Sequence, residues 1–246
     1  MSNPKISIIT ITYNSEKTLE ETIQSVITQE YDNLEYLIID GGSKDKTLEI
    51  VDKYRDKISF VISERDKGIS DAFNKGIKYA TGEIIGIINS DDILCKDALS
   101  ILASNYNPDI DVYRGQCIVW NPESNEEKID IPTIQYSVYK LSSHVCHPST
   151  FIRKSSYVRW GGYSIDLKYM MDADILYRFY ANKAKFVYVD KPLAKFRIGG
   201  VTSQNWEKKV KEKFCVLRRN GCNILGCFLG TAFFVCKQID KTILMK

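Results

Sequence analysis

The stretch GEIIGIINSDDILC, Gly82–Cys95, decides how this chain is read. An apolar run with the composition of a buried strand stops at Asn89-Ser90-Asp91-Asp92, so two adjacent carboxylates stand where a hydrophobic strand ends. Like charges that close repel, and partial burial penalises them further, so the pair calls for a positive partner. No basic residue lies beside them in the sequence.

Working outward, three similar units precede this one. Lys5–Tyr13 (KISIITITY) reads as a buried strand, and Leu19, Ile23, Val26 and Ile27 then fall at helical spacing within 15–29, with Ser15 as the expected N-cap. Leu34–Asp40 is a second strand, followed by the turn GGSKD and a helix carrying Leu48 and Val51. Ile58–Ser63 is a third, followed by a helix across Ser70–Ala80, and Glu83–Asn89 is the fourth. Continuous apolar strands alternating with amphipathic helices predict an α/β fold with a mostly parallel central sheet flanked by helices. Beyond it, Asp111–Trp120 alternates like an antiparallel or edge strand, 121–133 reads as a polar loop, and shorter elements follow around Phe151 and Phe186–Val189. A helix is expected just after Met170–Asp174 (MMDAD), and the chain divides into a domain over 1–203 and a basic, hydrophobic helical tail over 204–246.

Composition bounds the chemistry. The 246 residues are 44% hydrophobic and 26% charged, enough for one large domain. The formal charge of +3 is uneven: residues 201–246 carry nine Lys and Arg against three acids, leaving the first 200 at −3. Seven cysteines without a CxxC pair argue against a zinc site or disulfide framework and for reduced thiols in a cytoplasmic protein. The first residues enter a strand directly, without the pattern of a signal peptide, and no apolar run reaches 18 residues. No GxGxxG follows the first strand and no P-loop occurs, which excludes a dinucleotide or P-loop phosphate cradle. Basic segments lack interleaved aromatic platforms, which excludes nucleic acid as a partner.

In open parallel sheets ligands bind at the carboxyl ends of the strands. Thr12-Tyr13-Asn14, Asp40, Glu64-Arg65-Asp66 and Asn89–Asp92 all fall there. Several acids on one edge suit a hard divalent cation, Mn²⁺ or Mg²⁺, sharing its coordination with a substrate's phosphates.

Two segments, SIITITYNSEKTLEETIQSVITQEYDNLEYLIIDGGSKDKT and ERDKGISDAFNKGIKYATGEIIGIINSDD, resemble family 2 glycosyltransferases of the GT-A fold, of the bacterial type that builds capsule, exopolysaccharide or O-antigen units. The resemblance spans about residues 4–200. It implies a UDP-sugar donor and inversion at the anomeric carbon. Carried over by position, Thr12, Tyr13, Asn14 and Asp40 would line the nucleotide pocket. Asp66, Asp71, Asn74 and Lys75 would lie near the ribose and sugar. Asn89 and Asp91 would face the donor, and Asp92 would hold the metal. The segment KYMMDADILYRF places the catalytic base on Asp172, with Asp174 as its rival, and HVCHPSTFIRK places His147 on the acceptor side. FRIGGVTSQ resembles a closing loop in which Gly199 and Gly200 would supply mobility.

The tail combines Lys208, Lys209, Lys211, Lys213, Arg218 and Arg219 with the apolar run Cys222–Cys236. That pattern suits a helix lying on the inner face of the cytoplasmic membrane, where a lipid-linked saccharide acceptor would be found; the alternative is a core helix packed on the domain. Three other functions fit the architecture. A polyprenyl-phosphate glycosyltransferase would need no strong base. A sugar-phosphate nucleotidyltransferase would need a Gly-rich basic loop where TYNSEKT stands. A catalytically inactive nucleotide-sugar-binding module would not need Asp92 and Asp172.

Overall fold

The computed structural model describes residues 3–132, 146–199 and 205–244, the last eight of these by backbone alone. Four apolar runs form the strands β1 (Ile6–Thr12), β2 (Leu34–Asp40), β3 (Phe60–Ser63) and β4 (Ile84–Ile87), paired in parallel in the order β3-β2-β1-β4. The intervening helices are α1 (Leu19–Ile27), α2 (Thr47–Lys53) and α3 (Ile69–Tyr79). Residues of alternate parity supply two cores. Ile9, Leu37, Ile39, Ile85 and Ile87 face one way, and Ile6, Ile8, Tyr36, Ile38 and Ile84 the other. With both faces covered, the strands show no polar alternation, and each fully buried Ile contributes about 2 kcal/mol.

After β4 the sheet continues through a short strand β5 (Ile93–Leu94), α4 (Ala98–Ser104), β6 (Val112–Asn121), β7 (Glu126–Asp130), β8 (Thr150–Arg153), α5 (Lys154–Trp160), α6 (Met171–Ala181) and β9 (Phe186–Arg197). The order is β3-β2-β1-β4-β8-β6-β9-β5, with β7 paired to β6. β6 lies inside the sheet, antiparallel to β8 and parallel to β9, so its alternation does not mark an edge. The expected loop over 121–133 contains β7, whose residues are exposed or half-buried and whose place is set by cross-strand pairing with β6. Helix α1 begins at Leu19 rather than beside Ser15. The Ser15 carbonyl accepts from the Thr18 and Leu19 N–H groups, and its hydroxyl meets Ser90 Oγ at 2.7 Å.

Cys117 and Cys146 are joined in a disulfide with Cα atoms 6.2 Å apart, which corrects the expectation of reduced thiols throughout. The pairing between β6 and β8 brings together residues 29 apart in sequence, a spacing that carries no local signal.

The tail forms α7 (Trp206–Arg219) and α8 (Ile224–Leu244). Val216, Leu217, Cys222, Cys227 and Phe234 join the same core as α3 and α6. The two helices approach closely at Gly230, where a Cβ would lie 2.9 Å from Leu217 Cδ1. Ile224, Leu225, Phe228, Leu229 and Phe233 point outward, Leu225 with 68% of its surface exposed. No helix among the described residues is long and apolar enough to cross a membrane.

Candidate functional site

The strand ends converge as the sequence requires. Register sets Thr12 opposite Asp40, and Asp40 opposite Ser63, along one edge. Asp40 is fully buried, and its carboxylate accepts from the Gly42 and Ser43 N–H groups and from the hydroxyls of Ser43 and Ser63 at 2.5 Å. It therefore holds the turn after β2, where Gly42 takes φ 83°, a conformation that favours glycine. The turn is tied to the end of β1: Asn14, itself at φ 50°, donates its N–H to Ser43 Oγ and accepts from Lys44 N–H. Thr12 is buried with its hydroxyl unpartnered, and Tyr13 is 62% exposed.

Next to this turn lies a charged cluster. Lys75 Nζ sits 2.6 Å from Asp66, 2.8 Å from Glu64 and 3.5 Å from Asp71. Burial works against the Lys75 ammonium, but its bonds to Asp66 and Glu64 prevail and raise its pKa. Asp66 and Tyr13 also flank Gly41, where a Cβ would lie 2.9 Å from the Asp66 carboxylate. Asn74 is placed differently. Its amide donates to Tyr163 O and accepts from Tyr163 N–H, both at 2.8 Å, so it clamps α3 to the segment before α6.

The second cluster gathers around Asp92. Its side chain is fully buried, with Oδ1 accepting from Arg197 N–H at 3.2 Å and Oδ2 from Asn89 Nδ2 at 3.1 Å. Burial first, and the Asp91 charge second, push its pKa up to about 8. Burial raises Asp91 as well, opposed by the Arg197 guanidinium. Arg197 thus supplies part of the missing positive charge. Its Nε donates to the Asp91 carbonyl, it pairs with Glu21 at 2.5 Å, and its guanidinium stacks over Trp120. The contact spans 106 residues, and nothing beside Asp91 in the sequence announces it.

His147 and Asp172 complete this cluster. His147 occupies a 3₁₀ turn before β8, buried and stacked on Phe73 at 4.7 Å. Its Nδ1 lies 3.1 Å from Asp172 Oδ1, a charge contact rather than an aligned hydrogen bond, and its Nε2 is buried without a partner. Burial disfavours the imidazolium, but Asp172 and then Asp92 outweigh it and raise its pKa. Asp172 stands in the first turn of α6, a quarter exposed. Asp174, the rival, is fully buried, accepts from Ser164 Oγ at 2.9 Å and Asn220 Nδ2 at 3.3 Å, and pairs with Arg178 at 3.6 Å. The alternation of roles follows from helix geometry, because residues two apart face different directions.

Asn89 Oδ1, His147 Nε2 and Asp172 Oδ1 are buried polar atoms without hydrogen-bond partners. Such atoms are costly unless a ligand completes them. Among the described residues no three His, Cys, Asp or Glu side chains gather to form a metal cage. A hard cation here would take Asp92 from the protein, in place of its bonds to Asn89 and Arg197, and its other oxygens from a substrate. Gly199, the last described residue of the expected closing segment before Asn205, takes φ 113°; Gly200 and His144 fall outside the described residues.

Comparison with known proteins gives the family and the fold. Residues 7–160 match the sequence model of Glycosyl transferase family 2. An uncharacterized glycosyltransferase of Rickettsia typhi is 30% identical over 220 residues, covering 82% of this chain and 67% of its own. The poly-beta-1,6-N-acetyl-D-glucosamine synthase of Staphylococcus epidermidis is 32% identical over 136 residues, 54% of this chain and 32% of its own. Among solved structures, S. aureus TarS 1–349 in complex with UDP-GlcNAc superposes with a TM-score of 0.72 at 22% identity, covering 94% of this chain and 71% of that one. The mannosyltransferase PcManGT of Pyrobaculum calidifontis, in complex with GDP-Man and Mn²⁺, gives 0.70 at 17% identity, with 95% and 70% covered. These likenesses establish the GT-A fold.

Proposed function

The chain belongs to glycosyl transferase family 2 and is a glycosyltransferase, and on that premise we propose that it transfers a sugar, with inversion, from a UDP-sugar to a hydroxyl of a saccharide. The observation that carries this reading is the cluster of Asp92, His147 and Asp172 at one end of the sheet, where His147 Nε2 and Asp172 Oδ1 are buried without hydrogen-bond partners. The nucleotide side falls to Thr12, Tyr13, Asn14 and the turn held by Asp40. Asp66, Asp71 and Lys75 face the ribose and sugar, while Asn74 acts through its clamp on Tyr163. Asn89 and Asp91 face the donor, Asp91 at its ribose or sugar.

Asp172 takes the proton of the acceptor hydroxyl as that oxygen bonds to the anomeric carbon and the bond from that carbon to the diphosphate breaks. His147, seated against Asp172, orients the carboxylate. Mn²⁺ or Mg²⁺, held by Asp92, would neutralise charge on the departing diphosphate. Burial and the Asp91 charge disfavour an ionised Asp92, and a cation would offset that cost. UDP-GlcNAc in TarS and Mn²⁺ in PcManGT are consistent with this donor class and cation.

The acceptor reading extends to a lipid-linked saccharide in cell-surface polysaccharide synthesis. It is supported by the outward apolar face of α8 and by the exposed Lys208, Lys211 and Arg218 and half-buried Lys209 of α7, which together suit an anionic lipid surface at the inner face of the membrane.

The test is nucleotide release from a panel of UDP- and GDP-sugars, with a bacterial lipid extract as acceptor. Asp172→Asn is expected to lower kcat by about 10²–10⁴-fold. Retention of full turnover would instead favour a phosphate acceptor, which needs no strong base. No release with any donor would point to a binding module.

A further inference from the structure

The segment that delivers Asp172 is held from the tail. Helix α6 begins at Met171, and the three residues before it turn their N–H groups toward one side chain. The Glu212 carboxylate of α7 accepts from Lys168 N–H at 3.0 Å, Tyr169 N–H at 2.7 Å and Met170 N–H at 2.9 Å. One anion thereby satisfies three successive backbone donors at the positive end of α6, where a carboxylate is favoured on both counts. Two further contacts fix the same segment from the end of α7. Arg219 pairs with Asp166 at 2.5 Å, and the Asn220 amide reaches Asp174 at 3.3 Å.

Asp172 lies two residues beyond Met170, on the first turn of the helix so anchored. A shift of the 168–170 backbone would move its carboxylate away from His147, 3.1 Å distant. The Glu212 contacts span more than 40 residues of sequence, and further upstream the segment before α6 is held by α3 through Asn74 and Tyr163.

We propose that Glu212 is a positioning residue: by gathering the N–H groups of residues 168–170 it sets Asp172 against His147, so that α7 belongs to the catalytic apparatus. This rests on the reading of Asp172 as base, but its geometry is measurable without any substrate. Positioning errors of about 1 Å cost on the order of 10²-fold in rate, so the contact has room to matter.

The test uses the ring nitrogens of His147, one of only two histidines in the chain, observed by ¹⁵N NMR at fixed pH in EDTA, with His144→Gln for assignment. Asp172→Asn defines the signal of a His147 that has lost its partner. Glu212→Ala is expected to move the His147 resonances at least about half of the way to that limit. Glu212→Asp, which keeps the charge but withdraws it by one methylene, is expected to fall between and serves alone should Glu212→Ala not fold. In turnover, Glu212→Ala is expected to lower kcat about 10–100-fold in the wild-type background and to leave the residual rate of Asp172→Asn unchanged, because residues acting as a unit are not additive. A His147 signal unmoved by the Glu212 variants, or one unmoved by Asp172→Asn itself, would overturn the proposal. Should Asp172→Asn shift the ring signal yet keep full turnover, the base assignment fails while the positional role of Glu212 stands.

Discussion

Asp172 and Asp174 stand on the same turn of α6 and do opposite work. Asp172 offers a partly exposed carboxylate to the cleft, whereas Asp174 ties α6 to Ser164 and Asn220 and pairs with Arg178 one turn along its own helix. Asp174→Ala removes a fully buried acid from Arg178, Ser164 and Asn220. The expected cost is about 3 kcal/mol or more, a fall in Tm of roughly 10 °C, read by calorimetry. Asp172→Asn is expected to keep its Tm within a few degrees while losing rate, and the reverse pattern would exchange the two roles. Asp92 gives a second signature at this scale. Its pKa is raised on folding from the ordinary carboxylate range to about 8, so the folded state holds a proton that the unfolded chain releases near pH 4. The stability of metal-free protein from this group is complete below about pH 4 and is lost as pH rises toward 8. Melts in EDTA between pH 5 and 8 should show that decline, and Asp92→Asn should flatten it. A parallel decline in Asp92→Asn would assign the effect to other groups.

At the scale of elements, what the sequence reveals depends on where each element gets its stability. The strands β1, β2 and β4 are buried on both faces, so their apolar runs show plainly in the sequence, and their polar ends mark the cleft. β7 is charged and exists through pairing with β6, and β5 is two residues supported by β9; neither carries a local pattern. The same division holds in the site. Asp92 and Asp172 sit in recognisable motifs, but Arg197, Glu21 and Glu212 act across 42 to 176 residues of sequence through contacts that only the fold creates. Helix α8 was legible as apolar and flanked by bases. The structure divides that character between an inner face on Cys227 and Phe234 and an outer face on Leu225, Phe228 and Phe233. Leu225→Glu with Phe228→Glu is expected to abolish flotation with anionic phospholipid vesicles while keeping the fold, since both side chains are more than half exposed. Flotation equal to that of the unaltered protein would remove lipid as the partner of this face.

For the whole molecule, one sheet brings four strand ends, a 3₁₀ turn and two helices to a single cleft. The cleft is acidic, partly balanced by Arg197 and Lys75, and left with buried lone pairs that a charged ligand would complete. On the proposed reading its chemistry is conditional on what arrives, a cation together with a diphosphate. The central claim is tested most directly by thermal melts against a panel of nucleotide-sugars, each with Mn²⁺ and with EDTA, on wild type and Asp92→Ala. Ligand at a hundredfold excess over its Kd stabilises by about 2.7 kcal/mol, which for a chain of this length is roughly 5–10 °C. A rise of that size for a UDP-sugar, present with Mn²⁺, absent in EDTA and lost in Asp92→Ala, is the predicted result. An equal rise in EDTA, or one that survives Asp92→Ala, would contradict the assignment of Asp92 to a metal and with it the account of how this cleft holds its donor.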